Sequence, residues 1–232
     1  MRAKTKKFFL VLIIILILLL LICGKHKCRE KLLTPFLKRE TIDSLKTIDE
    51  QHIPIQELRH KMIETTSTLV KQSRNKKADI VLLIDRTSSM YDNLNELYNL
   101  SDEFLTTISQ QAKYARFTLA FFTDHFDGYR NSPNVTTVYQ STTDVNYIRT
   151  TIRQTMNAMQ LYDGGIDEEE CAWDGVHDVV NKNQWRDDSF RLIILITDAP
   201  IREKCPFHGY TKDTAERTVN SINASLIIFK LG

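Results

Sequence analysis

Glycine, proline and cysteine are all scarce in this 232-residue chain, at seven, five and four. So little Gly and Pro excludes collagen-like or linker-rich organisation. A Gly-rich phosphate loop, a Gly-x-Ser-x-Gly elbow and a His-Glu-x-x-His pair are all missing. His125, His177 and His208 fit no Cys/His zinc spacing and read as surface or loop side chains. Ser88 and Ser89 have no base at usable spacing, which argues against a nucleophilic-serine enzyme. Neither sign of charge is in surplus, with 31 basic residues against 29 acidic. That balance conceals a division. Residues 1–31 hold eight basic side chains and one acid, Glu30, for +7, and the other 201 residues carry −5. An anionic body excludes the basic face that a nucleic-acid binder needs.

What the chain does contain begins with an unbroken apolar run, Phe8 to Ile22, extended by Cys23 and Gly24. Residues 8–24 are expected to form a transmembrane helix, with residues 1–7 as a basic flank. Ile22-Cys23-Gly24 is a poor cleavage site, so retention as a signal anchor is the first expectation and secretion after cleavage the second. Arg2, Lys4, Lys6 and Lys7 favour an inside N-terminus, which puts the body outside the cytoplasm. Residues 25–77, charged and broken by Pro35 and Pro54, read as a juxtamembrane helical stalk. The spacing Ile55, Leu58, Met62, Thr65, Leu69 predicts one amphipathic helix, either packed on the domain or serving as a self-association seam.

From Ala78 continuous apolar runs alternate with helical periodicity over 78–232. Asp79–Ile84, Phe117–Phe122, Arg191–Thr197 and Ser225–Leu231 read as strands, and Thr137–Gln140 as an edge strand. The expected fold class is α/β: a doubly wound, mostly parallel sheet with helices on both faces, preceded by the N-terminal transmembrane helix. In such sheets ligands sit beyond the carboxyl ends of strands where strand order reverses. Two strands end in a lone acid, Asp85 and Asp198, and Thr87 and Ser89 follow Asp85 in the next turn. Carboxylates and hydroxyls are hard oxygen donors suited to Mg²⁺, with Mn²⁺ or Ca²⁺ as alternatives. Asp85 and Ser89 would also serve as caps, but capping leaves Asp198 unexplained.

Ile84-Asp-Arg-Thr-Ser-Ser-Met90 resembles the D-x-S/T-x-S signature of von Willebrand factor A domains, and Leu195-Ile-Thr-Asp-Ala-Pro200 resembles that family's second aspartate loop. Phe121-Phe-Thr-Asp-His125 and Gly164-Gly-Ile-Asp167 are similar to intervening motifs of hemicentin-like and bacterial or protist members. The resemblance covers about residues 77–232. It implies a doubly wound sheet with a metal-ion-dependent adhesion site of Asp85, Thr87, Ser89 and Asp198. Such a site engages an acidic group on a protein ligand through Mg²⁺. Asp167 stands where many members have Thr, and reads equally as a further metal ligand or, with Glu170, as a helix capping box. The last strand and closing helix usual in the family do not follow Gly232. One sheet edge is therefore expected to be bare unless the stalk, a partner subunit or a longer gene product covers it. The topology would bring Cys171 and Cys205 to one end of the sheet, either as a disulfide or as two separate thiols.

Three functions remain. The first is a non-enzymatic, membrane-anchored module presenting a divalent metal to a protein partner. The second is a structural subunit of a membrane complex, able to form homo- or hetero-oligomers through the stalk or sheet edge. The third, a metal-assisted hydrolase, would need a general base, for which Asp124 and Glu168 are the candidates.

Overall fold

The computed structural model describes residues 48–73, 77–112, 114–125, 136–159 and 168–232. Residues 8–24, where a transmembrane helix is expected, and Cys28, Gly164, Gly165 and Asp167 lie outside them. Among the described residues no helix is long and apolar enough to cross a membrane. The chain forms two compact units, and the second, Leu45–Gly232, holds everything described below.

The elements run β1 (Ile48–Ile53), α1 (Ile55–Gln72), β2 (Lys77–Asp85), a short 3-10 turn (Ser88–Met90), α2 (Tyr91–Gln111), β3 (Tyr114–Phe122), β4 (Thr136–Val138), α3 (Val145–Met159), α4 (Ala172–Lys182), β5 (Ser189–Thr197), α5 (Lys212–Ser221) and β6 (Ala224–Leu231). One six-stranded sheet has the order β1-β6-β5-β2-β3-β4. Only β4, which pairs with β3, is antiparallel. The sheet is the mostly parallel α/β arrangement expected.

Alternation along the strands builds a core on each face. Ile80, Leu82 and Ile84 of β2 point to one side, where Leu58 and Met62 of α1, Phe104 and Ile108 of α2 and Ile148 of α3 cover them. Val81 and Leu83 point to the other, under Val176 and Val179 of α4 and Val219 of α5. Two buried faces require strands apolar at every position, which is why β2 reads as a continuous hydrophobic run. Helix α4 can lie this close because Gly175 has no side chain. A Cβ there would stand 3.2 Å from Phe122 Cβ and 3.3 Å from Leu83 Cδ2.

The region read as a stalk needs correction. Its described part is built into the sheet: β1 pairs in parallel with β6 from Ile48↔Leu226 to Ile53↔Leu231. Helix α1, starting after Pro54, then crosses back to β2 with its apolar side in the core. The β6 edge expected to be bare is thus covered by a strand from the start of the domain. The sequence hides this because β1 is buried only at its two end residues, Ile48 and Ile53.

At the amino ends of the strands Asp79, 1% exposed, ties three elements together. It accepts from Arg116 Nε (3.0 Å), Arg186 Nε (2.8 Å), Arg186 N (2.8 Å) and Ser189 Oγ (2.8 Å). Burial works hardest against its charge, but the donors of Arg186, Ser189 and Arg116 together hold its pKa below the ordinary value. A depressed folded pKa contributes stability that is present above the unfolded value and is lost as pH falls through the folded one. We predict that Asp79→Ala costs about 3 kcal/mol, because it leaves two partly buried guanidinium groups without their buried partner. The deficit should shrink as denaturant melts are carried from the ordinary carboxylate value of 3.8 down through the lower folded one, where the wild-type carboxylate also loses its charge. A variant within 1 kcal/mol of wild type at neutral pH would remove Asp79 from this role.

Candidate metal centre

The connection leaving β2 runs to β3 on one side and the connection leaving β5 runs to β6 on the other, so the gap beyond the carboxyl ends of these two neighbouring strands is the switch point of the sheet. Register fixes what arrives there. Asp85 pairs with Phe122, and Ile84 with Ile196, so Asp124 and Asp198 each emerge within two residues of the same level.

Asp85 is fully buried. Its Oδ1 accepts from Thr87 N and Thr87 Oγ1, both at 2.8 Å, and its Oδ2 from Thr197 Oγ1 at 2.6 Å. Thr87 Oγ1 lies 3.1 Å from Ser89 Oγ, and Ser89 donates to Asp198 Oδ1 at 2.8 Å. Asn93 Nδ2 donates to Asp198 Oδ2 at 3.0 Å. The four residues of the D-x-S/T-x-S and second aspartate motifs therefore form one connected group. Thr87, Ser89 and Asp198 border an open cleft of about 340 Å³, lined also by Ser88, Glu168 and Glu170, with Asp85 buried behind it. Asp167 lies outside the described residues.

Two further acids join the group. Asp124, 3% exposed, follows β3, and neither of its oxygens has a hydrogen-bond donor among the described residues. Arg202 Nη2 stands 3.6 Å from its Oδ2. Glu170, 4% exposed, is held by its backbone, with Glu170 N donating to Pro200 O (2.9 Å) and Arg202 N to Glu170 O (3.0 Å). Burial, then the charges of Asp85 and Asp124, drive the Glu170 pKa well above the ordinary carboxylate range. Burial chiefly, with a contribution from Asp198, raises that of Asp85 against the lowering by Thr197 and Thr87. In the sequence Glu170 sits in a Glu168–Glu170 run that reads as helix-dipole complement, so its inward turn was not evident. Asp124 could have been found, since it is a third acid just past an apolar strand.

Asp85, Thr87, Ser89 and Asp198, a hydrogen-bonded group of hard oxygen donors, are the residues that could hold a divalent cation, with Glu170 and Asp124 as further acids beside them. Chemically the group is a set of acids whose mutual repulsion protons or a cation must relieve.

Two expectations about sulfur and imidazole change. Cys171 and Cys205 are free thiols, not a disulfide. Both lie fully buried in the core beneath α4 and α5, where they pack as small apolar side chains against one another. Nor are His125 and His208 both loose loop residues. His125 is fully buried, and both rings bind Asp174.

No protein-family profile matches the chain, and no curated protein matches it. Among solved structures it is similar to the pilus adhesin SpaC from Lactobacillus rhamnosus GG in its open conformation, at 20% identity and a TM-score of 0.39. That match covers 55% of this chain and 15% of the adhesin. It is also similar to an aerotolerance-related membrane protein from Bacteroides fragilis NCTC 9343 carrying multiple mutations to serines. There the identity is 13% and the TM-score 0.49, over 67% of this chain and 68% of that one. The mostly parallel six-stranded sheet fits a von Willebrand factor A-like fold.

A carboxyl pKa raised by folding means that the native state holds more protons than the unfolded state above the ordinary value of 4.5 for Glu170. Stability in chelator should therefore fall as pH rises from about 5 to about 8. Glu170→Gln should remove most of that slope and raise neutral-pH stability by about 1 kcal/mol. Calorimetric melts in EDTA across that range provide the measurement. Superimposable slopes for wild type and variant would contradict the stated position of Glu170.

Proposed function

We propose that this chain carries a von Willebrand factor A-type domain that binds a divalent cation, Mg²⁺ before Mn²⁺ or Ca²⁺. Through that cation it engages an acidic group on a protein partner. It is a binding module rather than an enzyme, held at a membrane by residues 8–24 with the domain outside the cytoplasm. The observation that carries the metal reading is geometric. Asp85, Thr87, Ser89 and Asp198 are joined by hydrogen bonds at the carboxyl ends of β2 and β5, and the charges of Glu170 and Asp124 act on the same group. The cleft lies open above Ser89 and Asp198, so a cation held there keeps a face towards an incoming ligand. An acidic side chain is the natural occupant of that face, being the hard anionic donor a partner can offer.

The reading of the chain as a structural subunit, with metal mainly stabilising the fold, has an observation of its own. Asp124 is almost wholly buried and has no hydrogen bond among the described residues, an arrangement that a resident cation would relieve.

One set of variants separates the two. The full chain in detergent is titrated with Mg²⁺ by calorimetry, then used to capture partners from solubilised membranes with Mg²⁺ or with EDTA. Asp85→Ala and Asp198→Ala should weaken Mg²⁺ binding about a hundredfold and abolish Mg²⁺-dependent capture. Loss of capture without any change of the melting temperature in EDTA favours engagement of a partner through the metal. Capture that survives in variants showing only lower stability favours the structural role. Absence of saturable Mg²⁺ binding by the folded wild-type chain would end both.

A further inference from the structure

Behind the carboxylate group lies a second, chemically different one. His125 follows β3, Asp174 stands in the first turn of α4, and His208 sits in the turn closed by Gly209 N to Cys205 O at 2.9 Å. Gly209 makes that turn with a φ of 68°, a left-handed conformation suited to glycine. His125 Nε2 is 2.6 Å from Asp174 Oδ2, and His208 Nδ1 is 2.7 Å from the same oxygen. One nitrogen from each ring and one carboxylate oxygen lie within 4.8 Å of one another. The side chains of His125 and Asp174 are 0% and 3% exposed, while that of His208 is 40% exposed and opens the group to solvent. Asp174 Oδ1 is buried without a hydrogen bond among the described residues. The Cys171 thiol lies against His125, and the Cys205 thiol against Asp174.

We propose that His125, Asp174 and His208 form a binding site for a zinc-class transition-metal ion, separate from the carboxylate centre. Two imidazoles and one carboxylate are the donor set zinc takes, and Mg²⁺ is poorly matched to nitrogen. Tetrahedral zinc with bonds near 2.0–2.1 Å separates its ligands by about 3.3 Å, so the His125–Asp174 and His208–Asp174 pairs must open by about 0.7 and 0.6 Å. His208, on a solvent-facing glycine turn, can supply the movement in its own pair, a small shift of the Asp174 carboxylate supplies the other, and the exposed side of His208 is the entry path. The rings otherwise share one acceptor oxygen, so the rival explanation is a purely structural His–Asp–His hydrogen-bond network. The two groups stand back to back because their members are chain neighbours. Asp124 precedes His125, and Glu170 precedes Cys171, and in each pair the first residue serves the carboxylate centre and the second the imidazole group.

The test uses the full chain, purified in detergent under reducing conditions without chelator, with metal content measured by mass spectrometry. About one equivalent of zinc is expected. Co²⁺ should replace it with intense visible bands of tetrahedral geometry. His208→Ala should weaken zinc binding by about a hundredfold or more, and His208→Cys, which restores a ligand, should recover most of it. Asp85→Asn should leave zinc binding unchanged, so failure of the carboxylate centre and failure of this site read differently. The proposal is overturned if the folded wild-type chain holds no stoichiometric zinc, or if it holds iron in its place. It is equally overturned if zinc is lost with Asp85→Asn and retained with His208→Ala.

Discussion

The register of three parallel strands is the constraint on which the rest of the molecule depends. With Asp85 opposite Phe122 and Ile84 opposite Ile196, the chain delivers Asp85, Asp124 and Asp198 to one level at the carboxyl end of the sheet. A slip of one residue would turn every strand side chain to the opposite face. It would exchange the two cores and carry Asp85 away from Thr87, Thr197 and the cleft. The apolar runs of β2, β3 and β5 therefore do more than bury area, because their packing on both faces fixes where the acids lie. The Asp79 ion cluster pins β2, β3 and β5 at the amino end. The acids converge where the same strands end, so the stabilising charges and the repelling ones occupy opposite ends of the sheet.

That separation is physically sensible. A carboxylate surrounded by guanidinium groups, as Asp79 is, has no coordination left for a ligand. Asp124 and Glu170 are the reverse case, nearly as buried but short of donors. Burying such acids together is unfavourable unless something outside the protein's own side chains neutralises them. Arg202, 3.6 Å from Asp124, offsets part of the repulsion from one flank.

Much of this was legible in the sequence, and the failures have identifiable causes. Doubly buried strands show as unbroken apolar runs, and Asp85 with Thr87 and Ser89 is legible because the whole motif lies in one five-residue turn. Asp198 is legible because it ends a strand of the same kind. Strand β1 was not, since Asp49, Glu50, Gln51 and His52 between its buried ends look like a stalk. Only the pairing with β6 shows that this is an edge strand. Glu170 and Glu168 are indistinguishable by composition, and it is the backbone pairing of Glu170 with Ile201 that turns one of them inward. The His125–Asp174–His208 group draws on residues 49 and 34 positions apart, with no spacing rule to reveal it.

Strand β1 also changes how the domain is joined to what precedes it. Sheet stability depends on which strands pair, not on their order along the chain. A strand and helix placed ahead of β2 thus occupy the sheet position beside β6 and cover one core. The parallel crossover from β1 to β2 needs a helix-length connection, and the 18 residues of α1 provide it while covering one core. A consequence follows at the metal centre. Pro54, Ile55 and Gln56, where β1 turns into α1, line a cavity together with Asn93 and Asp198. Asn93 holds Asp198 directly, so the entry of the chain into the domain and the outer acid of the cleft share a wall. Displacement of β1 along β6 would move that wall, which ties the position of Asp198 to the pairing of β1 with β6.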